Sequence, residues 1–305
     1  MWKIYKLNLS KEVYILFHIG ILQLTQNLDD AVRGFKQGLQ NLGIQAKFTY
    51  LNADGKVEIL PKLAQKLIDS SVDLIFACST PAAKAAQAVT GEIPILFTPV
   101  FDPVSVKLVA SMQSPGANIT GMSGMVKAKD KITLIQELLP TAKKIGVLYH
   151  TADDNTLIET NNFCAAAANL FTIEKIAIQT ADEISLLEEK LPTDIDALFL
   201  PIGRIVEENF SSIAYYADML EIPIIASHGP NVVMGALGAL VANHTSLGLE
   251  CAHQAKAILV DNKSIQDIPV GITTMPEILL NAFVANNLGI ELSADLQKKA
   301  KEIYA

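Results

Sequence analysis

Short apolar runs rich in β-branched residues alternate along this chain with stretches whose apolar residues recur every three or four positions. That alternation leaves few folds open, because strands separated by helical crossovers pair in parallel and bury both faces of the sheet. In the first half, strands are expected at residues 15–22, 45–51, 73–78 and 93–98, with helices at 28–42, 57–70 and 81–90. In the first helix Ala31, Phe35, Leu39 and Leu42 share one face, and Asn41-Leu42-Gly43 supplies a glycine stop.

The second half repeats this order. Ile145-Gly146-Val147-Leu148 answers Ile19-Gly20-Ile21-Leu22, Asp196-Ala197-Leu198-Phe199-Leu200 answers Asp73-Leu74-Ile75-Phe76-Ala77, and Ile222-Pro223-Ile224-Ile225 answers Ile93-Pro94-Ile95-Leu96. Glycine and aspartate are 53 and 50 residues apart in the two halves, and aspartate and isoleucine 20 and 26. Three matches in order at similar spacing favour two similarly folded α/β lobes, each a parallel sheet flanked by helices. A chain of 305 residues is long enough for both. The turn-rich segment at 114–121 reads as the join. Further apolar strand and helix patterns follow at 238–242 and 246–260, then a final strand and helix. The first lobe is therefore expected to comprise 1–120 plus 246–275 and the second 121–245 plus 276–305, with several connections acting as a hinge beside a ligand cleft.

Half the residues are hydrophobic and 18% are charged, enough apolar material for sizeable cores. The 32 acidic residues outnumber the 24 Lys and Arg, and no basic stripe is present, so nucleic acid is not an expected partner. Cys78, Cys164 and Cys251 have no zinc-type spacing; they read as small buried hydrophobes, with one disulfide left open. Near the start, Lys3, Lys6 and Lys11 precede an apolar run at 13–22, which no Ala-x-Ala site or lipobox cysteine follows. The run is too short to span a bilayer and reads as a first buried strand, with no recognisable signal peptide.

Open parallel sheets bind ligands beyond the carboxyl ends of their strands. The residues at those places are Gln23, Thr25 and Asn27; Ser79 and Thr80; Phe101 and Asp102; Tyr149 and Asn155; Arg204; Ser227 and His228; and Asn243. Hydroxyls, amides, aromatics, an acid and a guanidinium suit a zwitterion or other polar metabolite. Ser79-Thr80-Pro81 makes a helix N-terminus, where an anion is favoured; the same hydroxyls also serve as ordinary caps. Asp102 either meets a ligand amine or caps the next helix. Tyr149 stacks on a ligand ring or merely ends its strand, His228 contacts ligand or lies in a loop, and Arg204 also suits a plain surface position. Nucleophile-elbow, phosphate-loop, dinucleotide and zinc-protease motifs are missing, which lowers the odds of an enzyme; no metal or cofactor is expected.

These motifs together resemble the ABC transporter substrate-binding proteins that include tryptophan-binding members. The resemblance rests on Ile19-Gly20-Ile21-Leu22-Gln23, Ala31-Val32-Arg33-Gly34-Phe35, Ser79-Thr80-Pro81-Ala82-Ala83, Asp102-Pro103-Val104, and Pro115-Gly116-Ala117-Asn118-Ile119-Thr120-Gly121, with Ile222 to Ser227 and Leu247-Gly248 beyond them. It implies a type I periplasmic binding protein fold. It also implies a monomeric receptor in the periplasm or cell envelope that delivers an amino acid, often aromatic, to a membrane permease. Ser79 and Thr80 would then meet the carboxylate and Asp102 the amine, with Tyr149, Asn155, Ser227 and Asn243 contributed by the second lobe or hinge. Where relatives usually carry an acid this chain has His228, where they commonly have Asp it has Asn243, and Pro201-Ile202-Gly203-Arg204 replaces their Pro-Thr-Asp-Asn. The second-lobe face thereby loses negative charge, which points to an altered ligand. A sensing module using the same cleft, or less readily an α/β enzyme, is the competing reading.

Overall fold

The computed structural model describes residues 16–273 and 276–305, the side chain of Asn27 excepted. Lys3, Lys6, Lys11 and the first three residues of the apolar run lie outside the described residues. The chain divides into two units, Met1–Met125 with Asn243–Thr274 and Val126–Ala242 with Met275–Ala305, so it passes from one to the other three times.

The first unit contains β1 (Leu16–Gln23), β2 (Gln45–Asn52), β3 (Leu74–Cys78), β4 (Ile95–Val100), β5 (Ile119–Ser123) and, from late in the chain, β11 (Gly271–Ile272). All pair in parallel, in the order β2-β1-β3-β4-β5-β11. Its helices are α1 (Asp29–Asn41), α2 (Leu60–Asp69), α3 (Thr80–Val89) and α10 (His244–Leu259). On one face of the sheet Leu22, Ile75, Phe97 and Ile119 pack under α2 and α3 against Leu67, Ala83 and Ala86. On the other, Phe35 of α1 stacks on Phe76 of β3, with centroids 4.1 Å apart. Helices α1 and α10 cross at glycine. A Cβ on Gly34 would strike the Thr245 carbonyl, and one on Gly248 the Ala31 carbonyl and the Phe35 nitrogen.

In the second unit lie β6 (Lys144–His150), β7 (Thr172–Ile178), β8 (Ala197–Leu200), β9 (Ile224–Ala226), β10 (Gly238–Val241), β12 (Glu277–Asn281) and β13 (Glu302–Tyr304). Its order, β7-β6-β8-β9-β10-β12-β13, repeats the first unit's, and only β10 and β12 run antiparallel. The helices are α4 (Ala128–Leu138), α5 (Asp154–Ala167), α6 (Leu187–Lys190), α7 (Arg204–Glu208), α8 (Phe210–Met219), α9 (Pro230–Val233), α11 (Ala282–Asn287) and α12 (Ala294–Lys299). Separate apolar clusters fill the two faces of this sheet.

Several expectations change. The segment read as a turn-rich join contains a fully buried strand, β5, in the first sheet; the chain leaves that unit after Met125 rather than at residue 120. The tail carries more than one strand and one helix. The motif at 115–121 ties this segment to distant parts of the first unit: Asn118 Nδ2 donates to the Thr90 and Ile93 carbonyls at 3.0 and 2.8 Å, and Thr120 Oγ1 donates to Ile268 O at 2.8 Å. Any side chain at Gly121 would collide with the Phe97 backbone, its partner across the β4–β5 pair. The three cysteines are free thiols, so no disulfide forms. Burial drives the thiol pKa of Cys78 and Cys251 well up, which keeps them neutral.

Candidate functional site

In each sheet the crossovers reverse direction beside the first strand, between β1 and β3 and between β6 and β8, and in open α/β sheets the carboxyl ends at such a reversal are the usual place for a ligand.

In the first unit, β1 ends at Gln23. Its side chain is fully buried, donating to Asp29 Oδ1 at 3.0 Å and accepting from the Tyr50 hydroxyl at 2.9 Å. Thr25, partly buried, precedes the short 3-10 turn Gln26–Leu28 without capping it. Next to β1, β3 runs out into Ser79, whose φ of 103° lies where side chains other than glycine are strained. Its Oγ accepts from Ala82 N–H at 3.3 Å, and its carbonyl accepts from Ala83 N–H. Thr80 opens α3, so its N–H has no intrahelical acceptor, and Pro81 adds no N–H of its own. Phe101 is buried at the end of β4. Asp102 caps a turn rather than a helix: Oδ1 accepts from Val104 and Ser105 N–H at 3.0 Å each, and Oδ2 from the Ser105 hydroxyl at 2.9 Å. Asn243 caps α10, accepting from Ser246 N–H at 2.7 Å.

In the second unit, Tyr149 lies within β6 and Asn155 in the first turn of α5, both partly buried. Asp153, not singled out from sequence, caps that helix through Oδ1 and reaches Arg204 N–H at 3.4 Å through Oδ2. Arg204 projects outward, 81% exposed, and pairs with Glu208 at 2.8 Å. His228 Nε2 stands 3.9 Å from Glu207 Oε2, so a carboxylate remains at this face although residue 228 is not acidic.

Beneath these residues lies a network that the sequence reading missed. Lys131 of α4 and Glu159 of α5 form an ion pair with side chains 4% and 5% exposed. Ser227, just past β9, accepts from Lys131 Nζ at 2.8 Å and donates to Glu159 Oε1 at 2.6 Å. Glu159 Oε2 accepts from Ile202 N–H at 2.6 Å, fixing the loop after β8. The ammonium also sits 5.8 Å from the centre of the Phe199 ring, which stacks on Phe163. Among the described residues no group of three or more His, Cys, Asp or Glu is placed to hold a metal ion, and no helix is long and apolar enough to cross a membrane.

The sequence model for ABC transporter substrate binding proteins matches residues 18–304. A curated relative from Clostridioides difficile (strain R20291), named as a tyrosine-binding protein, is 34% identical over 292 residues, covering 93% of this chain and 84% of its own. A ligand-free, open structure of a substrate binding protein with adhesive properties from Clostridium difficile is similar at TM-score 0.86 and 30% identity, over 95% of this chain and 99% of that one. An ABC domain from Streptococcus pneumonia in complex with L-Trp gives TM-score 0.77 and 27% identity, over 94% and 99%.

Proposed function

Because this chain belongs to the ABC transporter substrate binding protein family, with the α/β fold of the type I periplasmic binding proteins, we propose that it binds an aromatic amino acid and delivers it to an ABC permease from the cell envelope. It works as a monomer and releases its ligand unchanged.

The observation that carries the reading is the backbone at Ser79. A serine held at φ 103° at the sheet's switch point costs conformational energy that a simple cap does not require. The turn brings the Thr80 hydroxyl and N–H, at the positive end of the α3 dipole, to where a carboxylate is favoured. Asp102, with lone pairs beyond those its turn uses, supplies the opposite charge for an ammonium. On the second unit Tyr149, Asn155, Ser227 and His228 stand at the corresponding strand ends as further candidate contacts. The relatives named for tyrosine and crystallised with L-Trp support an aromatic amino acid.

A thermal-shift series with the twenty amino acids tests this. An aromatic amino acid at 100 times its dissociation constant is expected to stabilise the fold by about 2.7 kcal/mol. It should be recovered unaltered by mass spectrometry after incubation. Absence of a shift with every amino acid, or conversion of the ligand, overturns the proposal.

A further inference from the structure

Two opposite charges are buried directly under Ser227, and stability is a poor reason for them. Dehydrating an ammonium and a carboxylate costs several kcal/mol each, and a well-packed apolar pair of the same volume commonly folds as well or better. The pair does impose something that an apolar pair cannot: it fixes the direction of a hydroxyl. Serine has one proton and two lone pairs, a carboxylate only accepts, and an ammonium only donates. The Ser227 proton is therefore committed to Glu159 Oε1 at 2.6 Å, and one lone pair is committed to Lys131 Nζ at 2.8 Å. A single lone pair remains on this half-buried serine, whose hydroxyl would otherwise rotate to suit donor or acceptor alike. Glu159 also holds Ile202 N–H, so the carboxylate that orients the hydroxyl is itself anchored to the loop beside it.

We infer that Ser227, locked by Lys131 and Glu159, determines specificity by accepting a hydrogen bond from a donor on the ligand's side chain. Phenolic hydroxyls and indole N–H groups are of this class. The inference rests on the proposed amino-acid reading, which gives the ligand a side chain for Ser227 to meet. A side chain offering only an acceptor would set lone pair against lone pair, and one with neither would leave the remaining lone pair of Ser227 dehydrated and unmatched. Lys131 and Glu159 are positioning residues that act through the serine.

Calorimetric titration with matched pairs tests the assignment: L-tyrosine against L-phenylalanine and O-methyl-L-tyrosine, and L-tryptophan against 1-methyl-L-tryptophan. The unmodified chain should bind the donor-bearing member about tenfold more tightly, the loss of roughly one hydrogen bond. In Lys131→Met/Glu159→Gln the amide oxygen can still accept from Ile202 N–H while its NH2 donates to Ser227. The serine proton is then released, and the preference should shrink to about threefold or less. Ser227→Ala keeps the ion pair and should lower the donor-bearing ligand to the level of its analogue; this arm decides alone if circular dichroism shows the double variant unfolded. A preference that persists in either folded variant, or tightest binding by an amino acid without a side-chain donor, overturns the role of Ser227 and leaves the amino-acid reading standing. Failure of every amino acid to bind the unmodified chain removes that reading and this inference with it.

Discussion

At the strand ends of the first unit, Ser79, Asp102 and Asn243 are held by neighbours two or three positions away, Ala82, Val104 and Ser105, and Ser246, while Gln23 reaches further, to Asp29 and Tyr50. At those of the second unit, Ser227 is held by groups 96 and 68 positions away, and Glu159 spans 43 positions to Ile202. Local caps form with their own turn and cost little to lose. A buried ion pair forms only when two helices and two strand ends have come together, and half of it is worse than none. The units share a strand order yet hold these strand ends by different physics, and substitutions should separate the two.

The largest effect is expected from Glu159→Ala, which strands the Lys131 ammonium in an apolar setting. Urea unfolding should report a loss of about 3–5 kcal/mol, most of it recovered in Lys131→Met/Glu159→Gln. Because Cys164 lies in the second unit and Cys78 and Cys251 in the first, thiol labelling of Glu159→Ala should accelerate at Cys164 before the other two. Equal acceleration at all three would show that the units do not open separately. Next comes Gly248→Ala, the first unit's counterpart, where a methyl group meets the backbone of α1; about 1–3 kcal/mol should be lost. Ser79→Ala and Asp102→Ala remove single caps and should each cost about 1 kcal/mol of stability. They should weaken amino-acid binding at least several-fold in titration; unchanged affinity would take the residue out of the proposed site. The smallest effect belongs to Arg204→Ala. Its exposed pair with Glu208 is screened by water, so melting experiments should show no resolvable loss, and a clear one would mean that Arg204 has another partner.

Legibility in the sequence followed the same division. Fully buried strands such as β3 announce themselves as unbroken apolar runs, whereas β7, an edge strand with mostly polar or exposed positions, carries no such run. β5 was hidden because Gly121 interrupts it, and the glycine that looked like a turn signal is required by contact with Phe97. The caps at Ser79 and Asp102 could be read as caps, since donor and acceptor are spelled within four residues. For the ion pair there was one local sign: Lys131 shares a helical stripe with Ile135 and Leu138, and Glu159 one with Thr156 and Phe163, all buried. A charge on an apolar stripe calls for a partner, and nothing along the chain says which.

The sequence by itself determined two α/β lobes with the same chain order of strands and helices, because apolar periodicity restricts how consecutive elements can pair; the antiparallel β12 in the second sheet came only with the fold. It also determined the cap at Ser79. Only the tertiary structure decided that Lys131 meets Glu159, that both meet Ser227, and that the serine is left with one lone pair. Hydrogen-bond polarity depends on which groups face one another across the fold, and residues dozens of positions apart acquire that relation only after the sheets and helices have packed.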